Sequence, residues 1–83
     1  MIQAEELIKV DVGSSGMQIH VSYRPQTIRT VFDICDMNGR ILKTGSVLKL
    51  TTTIEVSDLR NSKYVLLILD GDRVCSQKFS LQR

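Results

Sequence analysis

The sequence predicts an all-β protein, either a small β-sandwich or a barrel, with about seven strands. Apolar residues recur at every second position along most of the chain, a period typical of strands with one buried face. Turn-forming residues interrupt this alternation about every eight to twelve residues, as in sandwiches and small barrels. A chain of 83 residues is too short to divide its apolar residues between two cores, so we expect a single domain over residues 1–83.

The first half of the chain supplies three predicted strands. Leu7–Val12 reads as the first, although Ala4–Lys9 could instead form a short helical turn. A flexible turn at 13–16 leads to the clearest strand, Met17–Tyr23, which ends before Pro25 because proline cannot donate to a ladder. Thr30–Asp36 is the third strand. The residues expected on the buried faces are Ile8, Val10, Val12, Met17, Ile19, Val21, Tyr23, Phe32 and Ile34.

The second half supplies four more strands, and the first of them follows a hairpin signal. Asn38-Gly39 is that signal, since both residues tolerate positive φ. The predicted strands are Arg40–Thr44, Val47–Val56, Tyr64–Leu69 and Val74–Leu81. Tyr64–Leu69 is apolar at all six positions, as in a central strand covered on both sides. A turn over 58–62 is expected to cover Leu59.

Charge and hydropathy exclude two classes of function. The net charge is +2, with 11 basic and 9 acidic residues scattered along the chain, so there is no basic footprint for nucleic acid. The six apolar residues Tyr64–Leu69 are too few to span a membrane, and we expect no membrane insertion. The opening segment 1–6 fits a cytoplasmic start and, equally, the trimmed tail of an export signal with Ala4 near the cleavage point.

The sequence offers no set of catalytic groups. His20, the single histidine, falls on the polar face of an alternating strand, with no Ser, Cys or Asp placed beside it by sequence. Cys75 has the parity of core residues, whereas Cys35 faces the opposite way, where partial exposure is expected. Their opposite facing favours two free thiols over a disulfide. We therefore expect no enzymatic activity.

Metal and cofactor sites also lack a basis in the sequence. There is no CxxC pair, no Cys/His cluster and no glycine-rich phosphate loop. Asp36 and Asp70–Asp72 could suggest calcium ligands, but the spacing of a calcium loop is missing. We interpret these aspartates as turn residues that bond to their own backbone, and expect neither metal nor cofactor.

Four short motifs follow one another between Phe32 and Phe79. An apolar strand leads into Asp-x-x-Gly-Arg at 36–40, and Ile-x-Val-Ser-x-Leu follows at 54–59. A strand that begins at Tyr64 comes next, and Lys78-Phe79 lies near the end. In these motifs the chain resembles the C-terminal sorting domain of proteins exported by the type nine secretion system of Bacteroidetes. It is also similar to small immunoglobulin-like secreted proteins of the same bacteria.

Two features usual in that family are missing here. Ser62 stands where glycine is usual, two residues before the tyrosine, and no Pro-Asn-Pro opens the domain. The resemblance implies an immunoglobulin-like β-sandwich in which Tyr64, Leu66 and Ile68 face inward. It also implies a secreted or cell-surface module, recognised by a transport or assembly protein.

An apolar outer face follows from this orientation. With Tyr64 inward, Val65, Leu67 and Leu69 point outward, and two residues of the expected neighbouring strand share their parity. Exposed apolar patches usually mark association surfaces, although a loop or the N-terminal segment could cover this one. With the end of the C-terminal strand, the candidate interaction surface comprises Val31, Cys35, Val65, Leu67, Leu69 and Arg83.

Two functional hypotheses remain open at this stage. The favoured one is a non-catalytic interaction or secretion-sorting module that acts through a protein partner. The contrasting one is a free-standing intracellular binder or inhibitor, for example phage-encoded, which could dimerise through the apolar face. The motifs favour the first hypothesis, whereas two free thiols and a start at Met1 favour the second.

Overall fold

Seven antiparallel strands in two sheets make up the computed structural model, which describes residues 8–83. The strands are β1 (Lys9–Val12), β2 (Gln18–Ser22), β3 (Thr30–Asp36), β4 (Ile41–Ser46), β5 (Thr51–Glu55), β6 (Ser62–Asp70) and β7 (Arg73–Leu81). One sheet has the order β1-β2-β5 and the other β4-β3-β6-β7. Strand β2 lies beside β5, and β3, β6 and β7 lie side by side, as in immunoglobulin-like sandwiches. The predicted all-β sandwich is confirmed.

The core forms where the inward faces of the two sheets meet. Strands β3, β6 and β7 alternate between buried and more exposed residues, as the two-residue period predicts. Tyr64 and Phe79 are paired across β6 and β7, and their ring centroids lie 5.7 Å apart. The buried cluster consists of Ile8, Ile19, Val21, Tyr23, Phe32, Ile34, Val47, Ile54, Val56, Tyr64, Leu66, Ile68, Cys75, Phe79 and Leu81. Leu59 packs against it, as predicted for the turn that covers it.

Two predicted segments differ from the structure. Met17 is 45% exposed, not buried, because it precedes the first residue of β2 at the end of the sandwich. Val47–Val56 is not one continuous strand, since only its second half forms β5. Residues 47–50 instead carry the chain from one sheet to the other, and the buried Val47 donates its N–H to the carbonyl of Thr30 at 2.9 Å.

The first predicted strand is only partly described. The segment Leu7–Val12 contains β1, but Leu7 lies outside the described residues. The alternative helical turn over Ala4–Lys9 also falls almost entirely outside them, and its last residue begins β1.

The turn between β3 and β4 forms where the Asn-Gly signal predicts it, but only Gly39 has positive φ, so the connection is a three-residue loop and not the two-residue turn in which both residues have positive φ. The carboxylate of Asp36 accepts hydrogen bonds from the backbone N–H groups of Asn38 and Arg40, both at 2.9 Å. Gly39 has φ of +85°, a value that glycine adopts without strain. Asp36 is therefore a turn residue, as predicted.

Asp70 is not an ordinary turn residue, and this prediction is wrong. It ends β6 and is buried, with 3% of its surface exposed. Its carboxylate accepts hydrogen bonds from the hydroxyl of Tyr23 at 2.6 Å, the backbone N–H of Gln26 at 2.7 Å and the hydroxyl of Thr30 at 2.8 Å. A buried carboxylate is tolerated when such donors satisfy it. Asp70 thereby ties the end of β6 to the connection between β2 and β3, which links the two sheets.

These contacts shift the pKa values of both partners. Burial alone would raise the pKa of Asp70, but the hydrogen bonds from Tyr23, Gln26 and Thr30 outweigh it and hold the pKa well below its usual range. Burial, followed by the hydrogen bond to Asp70 and its negative charge, raises the pKa of Tyr23 to about 12. The folded state therefore favours a charged Asp70 and a neutral Tyr23.

Replacing Asp70 by asparagine is expected to lower the free energy of unfolding and to make that free energy less dependent on pH in the acid range. The variant D70N should lower the free energy of unfolding at neutral pH by about 1 to 3 kcal/mol, because a neutral amide replaces the charged acceptor. In the wild type, the stabilisation is present above the unfolded-state pKa of about 3.9 and is lost as the pH falls below it. Urea unfolding measured from neutral pH into this acid range should show a steeper loss for the wild type than for D70N.

Tyr23→Phe is the matched control, because it keeps the carboxylate and removes one donor. The free energy of unfolding of Y23F should still fall at acid pH almost as steeply as that of the wild type. Because the wild-type pKa of Tyr23 is raised to about 12, its contribution is complete below the unfolded-state value of about 10 and is lost as the pH rises through 12. Y23F should lack this alkaline loss. Identical acid slopes for the wild type and D70N would contradict the assignment to Asp70.

Candidate partner-binding face and C-terminal strand

The pairing of β3 with β6 brings the predicted surface residues together. Val31 lies opposite Leu69, and Cys35 lies opposite Val65. Leu67, between them on β6, lies opposite Asp33. Paired residues in a sheet point to the same side, so all of these side chains lie on the outer face of the four-stranded sheet. The inner face of the same two strands carries core residues, as the predicted orientation of Tyr64 requires.

These residues differ in their access to solvent. Val31, Val65, Leu67 and Leu69 are half-buried, since neighbouring side chains of the sheet flank them. Cys35 lies on the outer side but is only 5% exposed, so the expected partial exposure is wrong. Burial, and then the negative charges of Asp33 and Asp36, raise the pKa of its thiol. Cys35 therefore supports the face from beneath and remains protonated at neutral pH.

Two residues that the sequence analysis did not single out extend this face at opposite corners. Val74 pairs with Leu69 and is 62% exposed, and Ile41 pairs with Cys35 and is 58% exposed. That both residues lie on this side of the sheet could be known only from the strand register. The sequence signal that could have drawn attention to them is that each is an apolar residue at a strand position expected to be exposed. Hereafter the outer apolar face means Val31, Cys35, Ile41, Val65, Leu67, Leu69 and Val74.

Polar residues border the outer apolar face. Ser76 pairs with Leu67, and Lys78 pairs with Val65 along β7. On the other side, Thr44 pairs with Asp33 along β4. Asp33 interrupts the apolar residues of β3 opposite Leu67, so the face is an apolar patch that contains one acidic side chain and has a polar border, a mixture common at protein-binding surfaces. The geometry therefore suits a partner that offers apolar side chains.

Arg83 is not part of that face, because it lies at the end of the sandwich. Its guanidinium donates to three backbone carbonyls, of Gly16 at 2.7 Å, Val56 at 2.5 Å and Leu59 at 2.8 Å. It also donates to the side-chain oxygen of Asn61 at 3.1 Å. These acceptors belong to the β1–β2 turn and to the connection between β5 and β6. Arg83 thus fastens the segment after β7 to two other connections of the chain.

Gly16 is required at this contact for two reasons. Its φ is +73°, in the left-handed region that other residues rarely adopt. A Cβ atom there would also lie 2.6 Å from the Cγ atom of Arg83, so the alkyl chain of the arginine occupies the space. The predicted flexible turn at 13–16 therefore includes a glycine whose conformation and contact are both specific.

The residues considered for catalysis are not assembled into a site. His20 lies on the outer face of the three-stranded sheet, with Nδ1 3.1 Å from the hydroxyl oxygen of Thr53. Cys35 and Cys75 are both free thiols, as predicted. Within residues 8–83, no three His, Cys, Asp or Glu side chains lie close enough to hold a metal ion. That part of the chain also contains no helix long and apolar enough to cross a membrane.

Fold and surface together define a class of protein: a small β-sandwich with an apolar outer face on its four-stranded sheet. The family model described as the secretion system C-terminal sorting domain matches residues 14–82. The chain belongs to this family, the sorting domains of type IX secretion. The match extends beyond the Phe32–Phe79 segment in which the motifs were recognised. No curated protein matches the chain.

Family membership resolves several expectations at a coarse level. The chain is a secretion-sorting signal, as the favoured hypothesis predicted. Domains of this family are non-catalytic sorting signals, and they occur on secreted or cell-surface cargo. The contrasting hypothesis of an intracellular binder is not supported. Which protein of the secretion machinery makes the contact is a separate question.

Replacing Arg83 by alanine is expected to loosen the end of β7. The variant R83A should lower the free energy of unfolding by about 1 to 2 kcal/mol, since several hydrogen bonds to backbone carbonyls are lost. Amide hydrogen exchange should accelerate at Leu81 and at Val56, which lie next to the lost contacts. Urea unfolding and exchange detected by NMR measure both effects.

Arg83→Lys is the control that separates charge from geometry. A single ammonium group cannot reach three carbonyls in the manner of a planar guanidinium, so lysine should restore less than half of the lost stability. Full recovery in R83K would mean that charge alone matters at this position. Unchanged exchange in R83A would contradict the fastening role.

Proposed function

We propose that the secretion machinery recognises this sorting domain through the outer apolar face and through β7 with the short segment that follows it to Arg83. Residues 1–83 act as one module that needs no enzymatic activity and no cofactor. The partner is a protein that presents apolar side chains to the four-stranded sheet. That partner is a component of the type IX machinery, consistent with the family of the chain.

The observation that carries the proposal is the position of apolar residues where the core does not need them. Leu66 and Ile68 are fully buried, and they supply the inward face of β6. Val65, Leu67 and Leu69 face the other way, where polar residues would serve the core equally well. Their register with Val31 and Cys35 concentrates the apolar surface into one face. Contiguous apolar surface of this kind usually marks an association site.

The C-terminal strand is included because it lies beside the outer apolar face. Strand β7 lies at the edge of the same sheet, beside β6, and places Val74 and Ser76 next to the apolar residues. Arg83 holds the end of this strand in a fixed position. A partner that binds the outer apolar face therefore also contacts β7.

An export assay with a charged variant tests the proposal. The chain is fused to the C-terminus of a reporter protein that carries an export signal, in a bacterium with a type IX system. The reporter should reach the medium or the cell surface. Leu67→Lys should reduce export by about tenfold or more, because a charge replaces a central apolar contact worth about 1 to 3 kcal/mol. Reporter activity in the medium and in lysed cells measures the effect.

Ser76→Lys is the matched control, because it adds the same charge directly beside Leu67 but removes no apolar group. It should export almost as well as the wild type. Unfolding curves must show that L67K remains folded, since a large loss of stability would mean that Leu67 belongs to the core. Normal export of a folded L67K variant would refute the role of the outer apolar face.

A further inference from the structure

The two sheets contain unequal numbers of strands, and this leaves one position empty. At one side of the sandwich, β1 and β7 approach each other. From that side, β1, β2 and β5 follow in one sheet, and β7, β6, β3 and β4 follow in the other. Strand β4 therefore has no strand opposite it in the other sheet. A fourth strand of the three-stranded sheet, beside β5, would occupy that place.

The burial of β4 agrees with this arrangement. Lys43 and Gly45 pair with Ile34 and Phe32, whose side chains face inward and are buried. Lys43 and Gly45 nevertheless remain half-exposed, and β4 has no fully buried residue. The inner side of β4 thus faces solvent where the inner side of β3 faces the core.

The free edge of β5 carries backbone groups oriented outward. Tyr23 donates its N–H to the carbonyl of Leu50 at 3.0 Å, and Val56 donates to that of Met17 at 2.8 Å. The register between these two bonds is continuous, so the even-numbered residues of β5 bond to β2. The N–H and C=O groups of Thr51, Thr53 and Glu55 point away from β2. Within residues 8–83, these groups have no backbone partner.

The other three edges carry features that discourage pairing. Lys43 is an inward-pointing charge on β4, and the register of β4 shifts between Ile34 and Cys35. The remaining edge strands, β1 and β7, approach each other and carry the charged residues Lys9, Asp11, Arg73 and Lys78. Strand β5 has no lysine, proline or register shift.

A groove runs beside this same edge. It has a volume of about 700 Å³ and opens to solvent. It is lined by Ser46, Leu48, Lys49, Leu50, Thr51, Thr52 and Thr53. Leu48 is 79% exposed and Leu50 is 53% exposed, so apolar surface lies directly beside the unpaired backbone groups.

We propose that the free edge of β5 binds an extended strand of a partner protein, which becomes the fourth strand of the three-stranded sheet. Its backbone bonds to Thr51, Thr53 and Glu55, and its inward side chains cover the inner side of β4. This is β-strand addition, in which backbone bonds give affinity and alternate side chains give selectivity. The edge is separate from the outer apolar face, so the proposal does not depend on that face.

Charge and parity specify the chemistry of the added strand. In antiparallel pairing its first residue lies opposite Glu55 and its last opposite Lys49, so a basic start and an acidic end are complementary. Residues between them that face β4 should be β-branched and apolar, because they contact Leu50 and the alkyl chain of Lys43, whose ammonium group is paired with the carboxylate of Asp58 at 2.9 Å. The hydrogen bond from Gln18 to Glu55 at 3.1 Å already holds that carboxylate on the outer side of the sheet.

The test uses the 83-residue chain and a synthetic peptide, acetylated Lys-Val-Thr-Val-Thr-Val-Glu amide. Addition of the peptide should slow amide exchange at Thr51, Thr53 and Glu55 by about tenfold, because these N–H groups become hydrogen-bonded. A peptide with the lysine and glutamate exchanged should bind about two- to five-fold more weakly. NMR titration and hydrogen exchange measure both quantities.

Thr53→Pro removes an N–H that points away from β2, so the domain should remain folded while peptide binding is lost. Thr53→Ala is its control, because it loses the same side-chain contact with His20 but keeps the N–H and should bind normally. Equal binding by T53P and T53A would overturn the proposal. So would peptide-induced protection of another edge in place of β5.

Two further outcomes would also overturn it. Amides of Thr51, Thr53 and Glu55 that are already protected in the dilute free chain would mean that the chain itself occupies its edge. Protection that increases with protein concentration, without peptide, would mean that a second copy is the occupant.

Discussion

The six consecutive apolar residues of β6 constrain both the packing and the surface of the molecule. Side chains alternate along a strand, so Leu66 and Ile68 enter the core while Leu67 and Leu69 emerge on the opposite face. Because β6 pairs with β3 on one side and β7 on the other, it cannot leave the centre of the sheet without losing two ladders. The apolar run 64–69 therefore produces an apolar outer face as well as an apolar inner one, and only the inner one is needed for the core.

Polar contacts at the two ends of β6 determine how the sheets are held together. At one end, Asp70 binds donors from the β2–β3 connection, and its burial makes those hydrogen bonds costly to break. At the other end, Arg83 joins Gly16 and Leu59 through its guanidinium. Apolar packing is non-directional, whereas both polar contacts have a fixed geometry. Together they define where the loops at each end sit relative to the sheets.

Periodicity predicted most of the strands but not the contacts that depend on tertiary structure. The facing of the all-apolar β6 came from the family resemblance, and parity put Val31 and Cys35 on the same side as Val65, Leu67 and Leu69. Which residue lies opposite which was known only from the strand register. Asp70 was misread because a carboxylate next to glycine is usually a turn residue, and the donors that bury it are 40 or more residues away in the sequence. The prediction of one continuous strand over 47–56 was wrong for the same reason, because strand propensity does not show where the chain passes from one sheet to the other.

The unequal number of strands in the two sheets affects which surfaces are open to a component of the secretion machinery. A four-stranded sheet opposite a three-stranded one leaves the inner side of β4 facing solvent, and Gly45 there lies so close to the ring of Phe32 that a Cβ would be 2.6 Å from it. The aromatic ring thus packs against the backbone of β4 at Gly45, where any larger residue would collide with it. An outer apolar face offers contact area without backbone pairing, whereas the β5 edge offers backbone pairing with little area. The two surfaces make different demands, so one partner could use both without competition between them.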